Sequence, residues 1–357
     1  MSRELKTIWA GEEVTVKIPE KNLLNVIEPH EKPALKNPEA KLRKLLENPV
    51  GGKKLTDIAK RGYKVALISS EFMRMAYTWI LAPVVVDILK KEVGIQDKDI
   101  ILVNAPGTHQ TEEQQRQNPL VPKTWGPLYG KHKLILHDCD KRDNLTYMGE
   151  TGLGTPVWIN KDVVECDVKI GFGEVKPHHA GGHCGGGKII NPGVCGRASI
   201  SSMHKRVMCE GFREFSLGWP CPNNMVRQDM NESAIVAGLD LKIDTVTNPI
   251  DRQLVDVVAG DVIQAWEAAV RLAQEIWATK IKEKADIALY LPREGDAYLT
   301  GAYMYSPITA DMASKKNGIN ILTVPAQNGY SRRGTHQAFP AKIMRTSSQE
   351  MGWRLAE

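Results

Sequence analysis

Twelve consecutive residues concentrate the reactive side chains of this chain: Pro177-His178-His179-Ala180-Gly181-Gly182-His183-Cys184-Gly185-Gly186-Gly187-Lys188. His204 follows downstream. Imidazoles exchange protons near neutral pH, and a thiol and an amine can act as nucleophiles. Glycine buries almost no apolar surface and costs backbone entropy to order. Such a run is therefore expected to bring backbone close to a bound group, with imidazoles and an amine aimed at it, rather than to build core.

Four kinds of chemistry compete for these residues. Gly182 to Lys188 satisfies the spacing of a phosphate loop, but Ile189 stands where the magnesium-binding Ser or Thr belongs. Pro192-Gly193 also interrupts the helix whose N-terminus would hold the phosphate. His179, His183, Cys184, Cys195 and His204 are all zinc-ligand types, yet Gly181-Gly182 works against a helix that would align the first two, and no closed four-ligand spacing is present. A tight loop with solvated histidines explains each imidazole singly better than it explains the set. A hydroxy-acid site uses more of them: Arg74 would fork a carboxylate, histidines would move protons, and Lys188 would hold an electrophilic cofactor covalently.

The surrounding elements alternate. Residues 64–69, 99–104, 133–138 and 166–171 are apolar strand signals, and residues 286–291 and 319–324 repeat them later. Residues 76–93 read as a helix stopped by Gly94, residues 111–117 as a polar helix start, and residues 260–281 as a long amphipathic helix. The expected fold is α/β, with two α/β domains of mainly parallel sheet, a boundary near 275–285 and the active site in the interdomain cleft. The expected domains are 1–278, the catalytic and cofactor-binding unit, and 285–357, a smaller C-terminal unit. In such sheets ligands bind beyond the carboxyl ends of strands. Ser69 to Arg74, Gly107 to Gln110 and the run from Pro177 all fall there, so they are expected to share one site.

Composition narrows the partners. The chain has 357 residues, 42% hydrophobic and 25% charged, as ordinary globular proteins do. A net charge of +5 is scattered and aromatics are 6%, which favours small anionic ligands over nucleic acid. The six cysteines form no CxxC pair and read as reduced thiols. The most apolar stretch, Trp79 to Leu89, is too short to span a bilayer, and no apolar run follows Met1 to Lys6. No membrane association and a cytoplasmic location are expected.

The motifs together resemble the nickel-dependent lactate racemase family of 2-hydroxy-acid racemases and epimerases. Gly107-Thr108-His109, Pro177 to Lys188 with Pro192-Gly193, Gly154-Thr155-Pro156-Val157 and Val226-Arg227-Gln228-Asp229 carry the resemblance, which runs to about residue 325. It implies an isomerase with a nickel pincer nucleotide linked covalently at Lys188, with nickel on His204 and Glu71, Gly186 and Gly187 beside the cofactor. It implies catalytic histidines His109 and His178, a substrate-binding Arg74, a small 2-hydroxy acid as substrate and cofactor-biosynthesis enzymes as partners. It also implies the logic of the pair. C2–H is poorly acidic, so it leaves as hydride while one base per enantiomer takes the hydroxyl proton. Two further readings are a binding or regulatory relative that has lost catalysis and a zinc-dependent hydrolase. Glu71-Phe72-Met73-Arg74-Met75 stands where the family has Asp-x-Thr-Arg-Pro, and Asp296 to Met304 replaces its Leu-Tyr-Gln-x-x-Lys segment. Those departures point away from lactate itself, toward a different hydroxy acid.

Overall fold

The computed structural model describes residues 2–9, 11–210, 224–291, 309–323 and 325. An antiparallel hairpin opens the chain, β1 (Ser2–Trp9) with β2 (Glu12–Pro19). Then come α1 (Pro38–Glu47), the single turn α2 (Leu55–Ile58), β3 (Val65–Ser70), α3 (Thr78–Ile88) and β4 (Ile100–Ala105). Two short helices, α4 (Glu112–Gln117) and α5 (Leu120–Trp125), lead to β5 (Lys133–Leu136). A second hairpin, β6 (Leu145–Glu150) and β7 (Pro156–Asn160), and the turn α6 (Lys161–Val164) precede β8 (Val168–Glu174).

Five strands are mutually parallel in one six-stranded sheet, ordered β12-β11-β8-β3-β4-β5. The edge strand β12 (Leu254–Gly260) runs antiparallel to β11 (Leu241–Thr247). The expected α/β class with a mainly parallel sheet is the one found. All six residues of β3 are buried, and its side chains alternate between two cores. Leu67 packs with Leu42, Leu81, Val85 and Ile170 on one face. Ala66 and Ile68 pack with Ile159, Ile190, Val194 and Ala234 on the other. Leu67 is fully buried, and truncating such a side chain to Ala costs about 2–5 kcal/mol.

Several boundaries differ from the sequence expectation. The helix expected over 76–93 is α3 followed by a π-turn at Leu89–Val93, closed by Gly94 at φ 84°. The helix expected over 260–281 is shorter, α9 (Gln264–Trp277), with the buried stripe Ala265, Ala269, Ala273 and Ile276. The reason lies before it: residues 254–260 are strand β12, paired with a β11 that the sequence reading did not see. Lys242 and Asp244 break the apolar run of β11, yet both are fully buried, and Lys242 Nζ donates to Asp244 Oδ1 at 2.6 Å. Beyond Lys282 to Lys284, β13 (Ala285–Tyr290) and β14 (Ser314–Leu322) form a separate parallel pair. Among the described residues no helix is long and apolar enough to cross a membrane.

Candidate active site

The three post-strand segments meet. A cleft at the carboxyl edge of the sheet is lined by Ser70 at the end of β3, Arg74 after it, and Gly107 and His109 after β4. Gly173 and Glu174 of β8 and Cys184, Gly185 and Lys188 of the glycine run complete it. Loop joins loop directly: Gly107 N donates to Gly193 O at 3.0 Å. The capping box of α4, with Thr111 and Gln114 bonded reciprocally, fixes where the chain leaves His109.

Glu71, Arg74 and His109 hold one another. Glu71 Oε1 accepts from His109 Nδ1 and lies 3.6 Å from Arg74 Nε. A carboxylate only accepts, so Nδ1 of His109 carries the proton. Arg74 Nη1 also donates to Cys184 Sγ at 3.3 Å, which ties this edge of the cleft to the glycine run.

The run itself departs from expectation in its packing. Residues 178–187 are all buried. Its two ends pair as short strands, β9 (Pro177–His178) with β10 (Gly182–His183), and Gly186–Ile189 forms one 3-10 turn rather than the helix of a phosphate loop. Gly186 and Gly187, expected beside the cofactor, spend their missing Cβ on the protein. A Cβ there would come within 2.8 Å of Trp266 and 2.3 Å of Met230 O, respectively. Neither lines the cleft among the residues that do.

What pins the run was missed from the sequence. Arg227 on α8 (Met225–Val236) is buried and donates through Nε to Gly181 O at 3.2 Å, through Nη1 to Gly185 O at 3.1 Å and through Nη2 to His183 O. Its guanidinium also stacks over Trp266, 4.2 Å from the ring centroid. Trp266 Nε1 donates to Cys184 O at 2.8 Å, Asn224 Nδ2 to Ala180 O at 3.0 Å, and Gly186 N to Asp244 Oδ2 at 2.9 Å. Carbonyls that a strand or helix would satisfy are here satisfied by side chains. Burial lowers Arg227 to about 10. Opposite charges spaced two apart, as in Lys242 and Asp244, mark one face of a strand and were the available signal for part of this clamp.

Burial governs the site's protonation as well. Lys188 is lowered to about 7 by burial first, with Arg74 adding to the effect, and its amine has no hydrogen-bond partner among the described residues. His178 is held well below 6.5 by burial, then by Lys188, His179 and Arg74. Burial likewise lowers His179 to about 3 and His183 to about 4. His178 and His179 stack at 4.4 Å between ring centroids. His204, on α7 (Arg197–Glu210), has a solvent-accessible ring, but the protein packed around it at longer range still lowers its pKa. Its Nδ1 donates to Ile200 O at 2.8 Å, leaving the Nε2 lone pair for a ligand.

Arg74, His109 and Lys188 thus share one cleft, Glu71 joins them through Arg74 and His109, and His178 and His204 lie near enough for Lys188 to affect their charge. The zinc set does not assemble. Among the described residues the only group able to share one ion is Asp138, Cys139 and Asp140, which contains none of its members. The segment Asp296 to Met304 lies outside the described residues.

The chain is similar to known proteins in sequence and in fold. Residues 10–214 match the family described as the lactate racemase N-terminal domain. The lactate racemase of Thermoanaerobacterium thermosaccharolyticum is 25% identical over 304 residues, covering 84% of this chain and 68% of that protein. The lactate racemase of Lactiplantibacillus plantarum is 23% identical over 297 residues, covering 82% of this chain and 67% of that protein. The chain therefore spans about two thirds of the length of these relatives. The solved lactate racemase apoprotein from Thermoanaerobacterium thermosaccharolyticum shares the fold with a TM-score of 0.79 at 22% identity, over 99% of this chain and 85% of that one. A Thermotoga maritima protein matches with a TM-score of 0.55 at 18% identity, over 70% of this chain and 61% of that one.

Proposed function

The chain belongs to the family defined by the lactate racemase N-terminal domain, and from that premise we propose that it inverts the C2 centre of a 2-hydroxy acid, using a nickel pincer nucleotide tethered at Lys188. The convergence of Arg74, His109 and Lys188 on one cleft carries this reading. The residues fit the group. An amine must be neutral to attack a carbonyl carbon, and Lys188 is lowered to about 7 and unpaired among the described residues. His204 presents Nε2 with Nδ1 already committed, as metal-bound imidazoles do. When bound, the group supplies a centre that takes the C2 hydrogen with its electron pair and returns it.

The protein's own residues do the rest. Arg74, already oriented by Glu71 and Cys184, forks the substrate carboxylate. His109 takes the hydroxyl proton at Nε2, and Glu71 stabilises the imidazolium that results. His178 is the second imidazole of the site. Enzymes that build the cofactor are the partners this reading requires. The departure at Glu71 to Met75 favours a hydroxy acid other than lactate.

The test is a panel of single-enantiomer 2-hydroxy acids offered to protein produced alongside those biosynthetic enzymes. Racemisation or epimerisation of one of them, lost in His109→Ala, supports the reading. Tight binding of a hydroxy acid with no racemisation or epimerisation of it would favour the regulatory relative instead.

A further inference from the structure

Two lysines line the cleft, and their amines are held differently. Lys242 is fully buried, and its Nζ donates to Asp244 Oδ1 at 2.6 Å and to Ile243 O at 3.0 Å. Both bonds need N–H donors, so that amine is committed to its own strand. Lys188 is only partly buried, and among the described residues its Nζ makes no hydrogen bond or ion pair. An ammonium carries three donors, and leaving them unbonded inside a protein is costly. The neutral amine avoids that cost, and it is the form whose lone pair attacks carbon. Burial first, then Arg74, lowers the group to about 7, against 10.5 for an ordinary lysine. Near neutral pH the reactive form is therefore roughly a thousandfold more abundant than on a surface lysine.

The neighbours decide what this amine would attack. Arg74 lines the same cleft, close enough for its charge to act on Lys188. A guanidinium is always charged, and it recognises planar carboxylates. Gly173 and Gly185 line the cleft without side chains, which leaves a flat group room to approach the amine. An amine beside a guanidinium matches a carbonyl carbon beside a carboxylate. The electrophile with that layout is a 2-keto acid.

We propose that the chain with unmodified Lys188 has a further activity: it captures small 2-keto acids as an imine at Lys188, with the carboxylate on Arg74. The Lys188 nitrogen attacks C2, and the bond from C2 to the carbonyl oxygen breaks. That oxygen leaves as water with both amine protons, and C=N replaces C=O. No electrons are exchanged, and water reverses the step. The capture itself does not depend on the racemase reading. Where that reading holds, keto acid and pincer cofactor compete for one nitrogen.

The test uses the full chain from cells that do not make the cofactor. It is incubated with pyruvate and cyanoborohydride, which reduces an imine to a stable secondary amine, and its peptides are read by mass spectrometry. Lys188 is expected to carry a 1-carboxyethyl group at about tenfold or more the level of any other lysine. Labelling of Lys188 no greater than that of surface lysines, or labelling of Lys242 in its place, overturns the proposal. Acetone, a ketone without a carboxylate, tests Arg74. The ratio of pyruvate to acetone labelling at Lys188 is expected to exceed that at surface lysines of the same chain by about tenfold. In Arg74→Met that excess is expected to vanish, and an excess that survives overturns the assignment of the carboxylate to Arg74. A ratio cancels the effect of Arg74 on the amine itself. The wild-type chain alone decides the capture, whatever Arg74→Met does to folding. If loaded protein racemises no hydroxy acid, the racemase reading fails and the labelling result still stands.

Discussion

The two sides of the cleft are held by different physics. On one side the run from His178 to Gly187 is buried, and five of its carbonyls, from Ala180 to Gly185, are bound by Arg227, Asn224 and Trp266. On the other, Glu71, Arg74 and His109 orient each other through side chains, each about a fifth to a quarter exposed. The first side is preorganised by burial, and disturbing it should appear first as lost stability. The second is set by charge and tautomer, and disturbing it should appear as lost turnover in a protein that still folds.

Asp244→Ala should separate the two most sharply. It strands the fully buried Lys242 and removes the acceptor of Gly186 N, so a loss of about 3–5 kcal/mol is expected in denaturant unfolding. A loss below about 1 kcal/mol would contradict the clamped side. Arg227→Met leaves the carbonyls of Gly181, His183 and Gly185 without their side-chain donor, and a loss of about 3 kcal/mol is expected by the same assay.

Glu71→Gln probes the other side. Gln can still accept from His109 Nδ1 but cannot balance an imidazolium. Turnover should fall by about ten- to hundredfold, the usual effect of an orienting partner. Stability should change by less than about 1 kcal/mol, as for other partly exposed ion pairs. Equal losses of stability and turnover would erase the distinction.

Acid sensitivity offers a second probe of the clamped side. His179 and His183 stay neutral in the folded chain down to about 3 and about 4, whereas unfolded histidines bind protons below about 6.5. Between those values the unfolded state holds more protons. Folding stability is therefore complete above about pH 6.5 and falls with acid, by at most about 1.4 kcal/mol per pH unit for each such histidine. Urea titrations at pH 6.5 and 5 check the slope, and His183→Asn should flatten it.

The same contrast explains what could be read from sequence. Arg74, His109 and Lys188 were legible because each follows a strand and the fold brings strand ends together. The central strands were legible as apolar runs. β11 was not, because its buried Lys242 and Asp244 mimic a surface segment until their pairing is known. Arg227 stands out in the sequence only as part of a motif, since its partners lie 42 to 46 residues away. The glycines were read as room for a ligand, and the room is taken by Trp266 and Met230. Local pattern carries the reactive groups, while contacts distant in sequence carry the scaffold that fixes them.

Lys188 joins the two sides, packed with the clamped run and facing Arg74 across the cleft. The most direct measurement is therefore peptide-resolved mass spectrometry of protein purified from cells that make the pincer cofactor, alongside racemisation of its hydroxy acid by the same sample. The expected result is a covalent adduct on Lys188 whose occupancy tracks turnover and which is absent from an inactive Lys188→Met variant. Active protein with Lys188 unmodified would contradict the account.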